Sequence, residues 1–159
     1  MRRLPRALAA ALLSVLALLA GGLLRPLGNA SVPRSASAVN EASLRDPTLI
    51  ARGAALAAAG DCAACHTAQG GARYAGGRLL PTSFGNVATT NLTPDPATGL
   101  GDWSFEDFWQ ALHAGIGRRR EPLYPAFPYT SYTRLTRDDA LAIYAYLQSL
   151  PPVRRVDTP

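Results

Sequence analysis

Two cysteines three positions apart, followed at once by a histidine, constrain this chain more than any other feature: Cys62-Ala63-Ala64-Cys65-His66. Two such thiols can each add to a vinyl group of one porphyrin, and the adjacent histidine can swing beneath the ring to give its iron an imidazole nitrogen. The motif therefore reads as the attachment point of one covalent haem c, with Cys62 and Cys65 carrying the thioethers and His66 as a metal ligand. No further cysteine is present, so a four-cysteine zinc site is excluded. A redox-active dithiol or a disulfide is the competing reading, but it expects a βαβ setting. The flanks here are helical in pattern, with an Ala-rich approach.

The charge of the chain divides sharply. Its net +5 suggests a partner made of nucleic acid or anionic lipid. Yet residues 1–40 hold five arginines and no acid, whereas residues 41–159 hold 11 arginines against 11 carboxylates. The basic excess belongs to the N-terminal segment, and nucleic acid is not an expected partner. Arg2, Arg3 and Arg6 precede residues 7–24, an 18-residue stretch whose only polar side chain is Ser14. As a helix it would be about 27 Å long, close to the hydrocarbon thickness of a bilayer. Residues 1–27 are therefore expected to direct export as a signal or membrane anchor, with the rest of the chain on the periplasmic side. Ala36-Ser37-Ala38 resembles a cleavage site, but it lies far beyond the apolar run. A retained anchor is favoured over a soluble periplasmic product of cleavage.

Residues 28–45, rich in Ser, Ala, Asn and Pro, read as a flexible linker. A single domain is expected over residues 46–153, with residues 154–159 as a tail. Asp46-Pro47 opens a helix whose Leu49, Ile50, Gly53, Leu56 and Ala57 share one face, and Gly60 ends it. Gly53 inside that helix implies a close crossing by a neighbour. Residues 67–101 carry so many glycines and prolines that a long helix is ruled out, and a loop of that length is normally wrapped around something. Ser104 caps a second helix and Thr136 a third. No strand pattern competes, so the expectation is an all-α domain with long irregular loops.

A helix before Cys-x-x-Cys-His, a Pro/Gly-rich wrap and a closing Ala145-Tyr146-Leu147 helix resemble a class I cytochrome c domain. The run Asn91-Leu92-Thr93-Pro94-Asp95-Pro96-Ala97-Thr98-Gly99-Leu100-Gly101, with Asp102-Trp103-Ser104, Leu123-Tyr124-Pro125-Ala126-Phe127-Pro128-Tyr129 and Ala145-Tyr146-Leu147, narrows that resemblance to the cytochrome c subunits of bacterial membrane-associated alcohol, aldehyde, gluconate and nicotinate dehydrogenases. It covers residues 47–152 and implies a class I cytochrome c fold. It also implies the crossing of the first and last helices at Gly53 and Tyr144 or Tyr146, and no catalytic residue. The expected function is to carry single electrons from a periplasmic dehydrogenase to a respiratory electron acceptor. The alternatives are a five-coordinate peroxidase or gas sensor and a non-catalytic assembly subunit.

The far face of the iron is the open question. Relatives can place a methionine where Phe127 stands, but the only methionine here is Met1, and lysine is absent. His113, the remaining histidine, is a candidate second metal ligand, and a bis-histidine iron would sit at lower potential than a His/Met one. The alternative makes His113 a helix-end residue bonded to a carbonyl. If it points away, Phe127 covers the distal face unless Tyr124 or Tyr129 binds. Arg78 is a candidate partner for a haem propionate, against the commoner solvated arginine. Arg118, Arg119 and Arg120 either dock an acidic partner or form a solvated loop.

Overall fold

The computed structural model describes residues 39–126 and 129–156. The expected signal or anchor, most of the linker and Phe127 lie outside the described residues. Among those described, no helix is long and apolar enough to cross a membrane.

A 3-10 turn, Ser43–Arg45, leads into helix α1, Pro47–Ala59. Asp46 is extended and its carboxylate accepts the Thr48 N–H at 2.8 Å, while Pro47 occupies the first position, where no acceptor awaits an N–H. The single turn α2, Cys62–Cys65, follows after Asp61, whose φ of 53° reverses the chain. Strands β1, Leu79–Thr82, and β2, Gly85–Ala88, come next, then α3, Phe105–Ala114, the four-residue α4, Tyr129–Tyr132, and α5, Arg137–Gln148.

The core is the meeting of α5 with α1 and α3. α5 buries Ala140, Ala142, Ile143, Tyr144, Ala145 and Leu147. α1 can approach because Gly53 has no side chain: a Cβ there would collide with the Ala142 carbonyl and come within 2.8 Å of Tyr146 Cβ. The residue at the crossing is thus Tyr146. Tyr144 turns the other way, donating its hydroxyl to the Trp103 carbonyl at 2.6 Å, with its ring 5.8 Å from Phe105 and 5.6 Å from Phe108. Both long helices carry their own starts. Ser104 and Asp107 form a reciprocal capping box on α3, and the Thr136 hydroxyl accepts the Asp139 N–H on α5. Two ion pairs span the helices, Arg52 with Asp139 and Arg137 with Glu106, each at 2.6 Å. Both are partly exposed, so each contributes less than one well-buried aromatic side chain.

The all-α expectation is corrected by the antiparallel ribbon of β1 and β2, with Leu79 opposite Ala88 and Thr82 opposite Gly85. Pro81 and Gly85 read as breakers along the chain, but a two-stranded ribbon consists only of edges, where proline is tolerated. Ser83 and Phe84 form its tip, and Gly85 takes a φ of 116° that favours glycine.

Residues 91–101 form a loop tied by its own side chains. Asn91 Oδ1 accepts the Thr93 N–H at 2.9 Å, and Asp95 Oδ1 accepts both the N–H and the hydroxyl of Thr98 at 2.7 Å.

Gly53→Ala should lower stability by roughly 3 kcal/mol, because the added methyl meets main chain rather than a flexible tip; a urea midpoint on the loaded protein measures it. Acid should weaken the same helix packing. The Arg137 guanidinium holds Glu106, and the Thr136 hydroxyl with Arg52 holds Asp139, below the usual carboxylate range. A carboxyl depressed in the folded state stabilises above its unfolded pKa and loses that contribution as pH falls through the folded one. Urea midpoints taken at neutral pH and below the carboxylate range should therefore decline, less so in Glu106→Gln.

Candidate haem site

On the single turn of α2, residues i and i+3 face the same side, so the Cys62 and Cys65 side chains project together. Neither sulfur is in a disulfide; Cys62 is half-buried and Cys65 exposed. The turn is closed by the His66 N–H, which donates to the Cys62 carbonyl at 3.0 Å. Burial pushes the Cys62 thiol above its ordinary range, with the Tyr132 hydroxyl opposing the shift. Tyr132, at the end of α4, donates its hydroxyl to the Gly60 carbonyl at 2.6 Å and is itself pushed up to about 12 by burial and by Cys62.

His66 Nδ1 lies 2.7 Å from the Thr90 carbonyl oxygen. A carbonyl only accepts, so Nδ1 carries the proton and the lone pair of the neutral ring resides on Nε2. That is the tautomer a metal-binding imidazole needs, with its orientation fixed by the partner behind it. The Thr90 carbonyl is brought there by main-chain layering. The Gly76 N–H donates to the His66 carbonyl at 2.8 Å, the Gly77 N–H to the Thr89 carbonyl at 2.7 Å, and the Leu92 N–H to the Tyr74 carbonyl at 2.8 Å. Gly76 has φ 71°, and a Cβ there would sit 2.6 Å from the Thr89 carbonyl oxygen. Only glycine permits this approach.

Arg78 is exposed and joins the motif directly, donating from Nη1 to the Ala64 carbonyl at 2.6 Å. Its N–H donates to Thr89 Oγ1 at 3.0 Å, so the residue ties the Cys62–Cys65 turn to the segment behind His66. His113 has other partners. Its ring stacks on Trp109 with centroids 3.4 Å apart, Nε2 lies 3.1 Å from the Leu135 carbonyl, and Nδ1 lies 3.3 Å from the Trp109 carbonyl. The structure thus brings Cys62, Cys65, His66 and Arg78 together and bonds His113 to the main chain around α3 and the start of α5. Arg118, Arg119 and Arg120 are exposed on a tight turn closed by the Gly117 N–H and the Glu121 carbonyl at 2.8 Å, with Arg118 3.6 Å from Asp102.

The family model for cytochrome c matches residues 50–151. The chain belongs to the cytochrome c family. The family supports the class I fold, implies covalent haem c, and serves electron transfer rather than substrate turnover. It is similar to a nicotinate dehydrogenase subunit of Pseudomonas putida, 52% identical over 107 residues, which cover 67% of this chain and 9% of that protein. The gluconate 2-dehydrogenase cytochrome c subunit of Pantoea cypripedii is 44% identical over 110 residues, covering 69% of this chain and 25% of the relative. The fructose dehydrogenase cytochrome subunit of Gluconobacter japonicus is 39% identical over 155 residues, covering 97% and 30%. The chain spans less than a third of the length of each of these relatives.

The donor set suits that cofactor: two thiols side by side on one turn, and an imidazole with its tautomer set by a carbonyl. Reading along the sequence missed Thr90 and Tyr132. Thr90 acts through its main chain, which no residue type advertises, and Tyr132 sits in a stretch crowded with tyrosines and prolines.

In the haem-free cytochrome, Cys65 should react with iodoacetamide faster than Cys62, because it is exposed while Cys62 is half-buried with its thiol held protonated. Tyr132→Phe should leave that order intact. Fragment-ion mass spectrometry of the peptide carrying both cysteines, sampled at successive times, reads the ratio.

Proposed function

We propose that this cytochrome domain binds one haem and carries single electrons from a dehydrogenase to a respiratory acceptor. It would be held at the periplasmic face of the inner membrane by an N-terminal helix over residues 7–24. The observation that carries the reading is the Nδ1 bond of His66 to Thr90, which leaves Nε2 as the basic nitrogen one residue beyond the two thiols. Bound here, the haem supplies a one-electron Fe(III)/Fe(II) couple.

The chain's own residues divide the remaining work. Cys62 and Cys65 would hold the ring as thioethers, which fixes it without relying on affinity. His66 would ligate through Nε2. Arg78 uses Nη1 on Ala64, and a guanidinium has further donors to offer a propionate. Phe127 would cover the distal face and keep water from it. His113 serves, in this reading, as the tie between α3 and the start of α5, because Leu135 and Trp109 already engage its ring. The dehydrogenase partner is suggested by the names of the relatives, and export by Arg2, Arg3 and Arg6 ahead of the apolar stretch.

Expression with a haem-attachment system should yield a protein heavier by one haem and a pyridine haemochrome spectrum of the two-thioether type. Recovery from the periplasm with both sulfurs open to alkylation and no haem mass would refute the reading. His113→Ala should leave the reduced spectrum unchanged and its response to carbon monoxide the same as in the parent, while lowering stability by about 1–2 kcal/mol. A carbon monoxide response present only in the variant would instead make His113 the sixth ligand.

A further inference from the structure

The chain does not leave the domain when α5 ends. The Val153 carbonyl accepts from Asn91 Nδ2 at 2.7 Å, the Val153 N–H donates to Thr93 Oγ1 at 3.1 Å, and the Arg155 N–H donates to Thr98 Oγ1 at 3.1 Å. This lacing lays the Arg155 guanidinium across the 76–77 turn. A Cβ built on Gly77 would overlap its Nε, Cζ and Nη2, and one on Gly71 would lie 3.6 Å from Nη1. Nε is buried without a hydrogen-bond partner. An unpaired buried donor is unfavourable, so packing and the main-chain bonds of the tail hold the group in place.

What the guanidinium covers is the back of the histidine mount. Gly76 and Gly77 both have positive φ, 71° and 78°, and an unbraced pair of glycines is the most easily deformed stretch of a backbone. The Gly76 N–H is bonded to the His66 carbonyl and the Gly77 N–H to the Thr89 carbonyl. The next carbonyl, that of Thr90, holds His66 Nδ1. One side chain from the far end of the sequence thus presses on a two-glycine hinge joined to the histidine at both its main chain and its ring.

We propose that Arg155 is a positioning residue for the axial histidine: by bracing the Gly76–Gly77 turn it fixes the Thr90 carbonyl and thereby the orientation of the His66 ring. The inference rests on the haem reading above. Orientation and hydrogen bonding of an axial imidazole are among the levers by which a protein tunes haem iron.

The test uses the haem-loaded full chain and three variants. Arg155→Ala removes the brace, Arg155→Lys keeps the charge without the planar group, and Arg154→Ala removes the same charge from the adjacent exposed position. Two readouts are taken: the haem-methyl proton shifts of the oxidised protein, which report the direction of the axial imidazole, and amide exchange at Gly77. Arg155→Ala and Arg155→Lys should both change the spread of the methyl shifts and speed Gly77 exchange about tenfold or more, with Arg154→Ala unchanged. Methyl shifts and exchange that stay as in the parent in both Arg155 variants would overturn the proposal, as would equal changes in Arg154→Ala. A parent protein without haem bands would defeat the haem reading instead, before any variant is compared.

Discussion

The 2.7 Å hydrogen bond from His66 Nδ1 to the Thr90 carbonyl spans 24 positions of sequence and ties the Cys62–Cys65 turn to the segment that follows the ribbon. Around it the described chain is largely irregular, and that irregularity has a physical reason. An imidazole that must present one nitrogen to a metal needs its other nitrogen held by a fixed acceptor. A main-chain carbonyl is such an acceptor only if the segment bearing it is itself pinned. Gly76 and Gly77 allow three stretches of backbone to stack, Arg78 clips them to Ala64, and the Asn91 and Asp95 side chains freeze the segment that follows.

The helices provide a scaffold rather than a site. α1 and α5 meet at the bare backbone of Gly53, so the crossing is set by contact between main chain and side chain, with little freedom to slide. Tyr144 and Tyr146, two residues apart on α5, face different neighbours. One fixes the chain entering α3 and the other packs on buried Tyr74, the residue that leads into Gly76. Packing at the crossing is therefore passed to the loop that carries the histidine's acceptor. The exposed ion pairs contribute little beside this, consistent with a domain in which residues 41–159 have no net charge.

The chain spans less than a third of the length of the nicotinate, gluconate and fructose dehydrogenase relatives. The His66–Thr90 bond lies within the family match, and Arg155 lies just beyond its end. The choice of electron donor and acceptor belongs to surfaces, and the exposed arginines at 118–120 and the ribbon tip at Phe84 are features the core does not use.

The three long helices and their caps at Asp46, Ser104 and Thr136 were legible along the chain, because each depends on residues within one helical turn of one another. Gly53 announced a crossing because a glycine inside a helix is otherwise unfavourable. The ribbon, the acceptor role of Thr90, the engagement of His113 by Leu135 and the reach of Arg155 to Gly77 were decided only in three dimensions. Their partners are distant in sequence or are carbonyl oxygens, and every residue has a carbonyl oxygen. Local spacing can nominate groups for a cofactor, while the direction in which those side chains are held is fixed by backbone brought in from elsewhere.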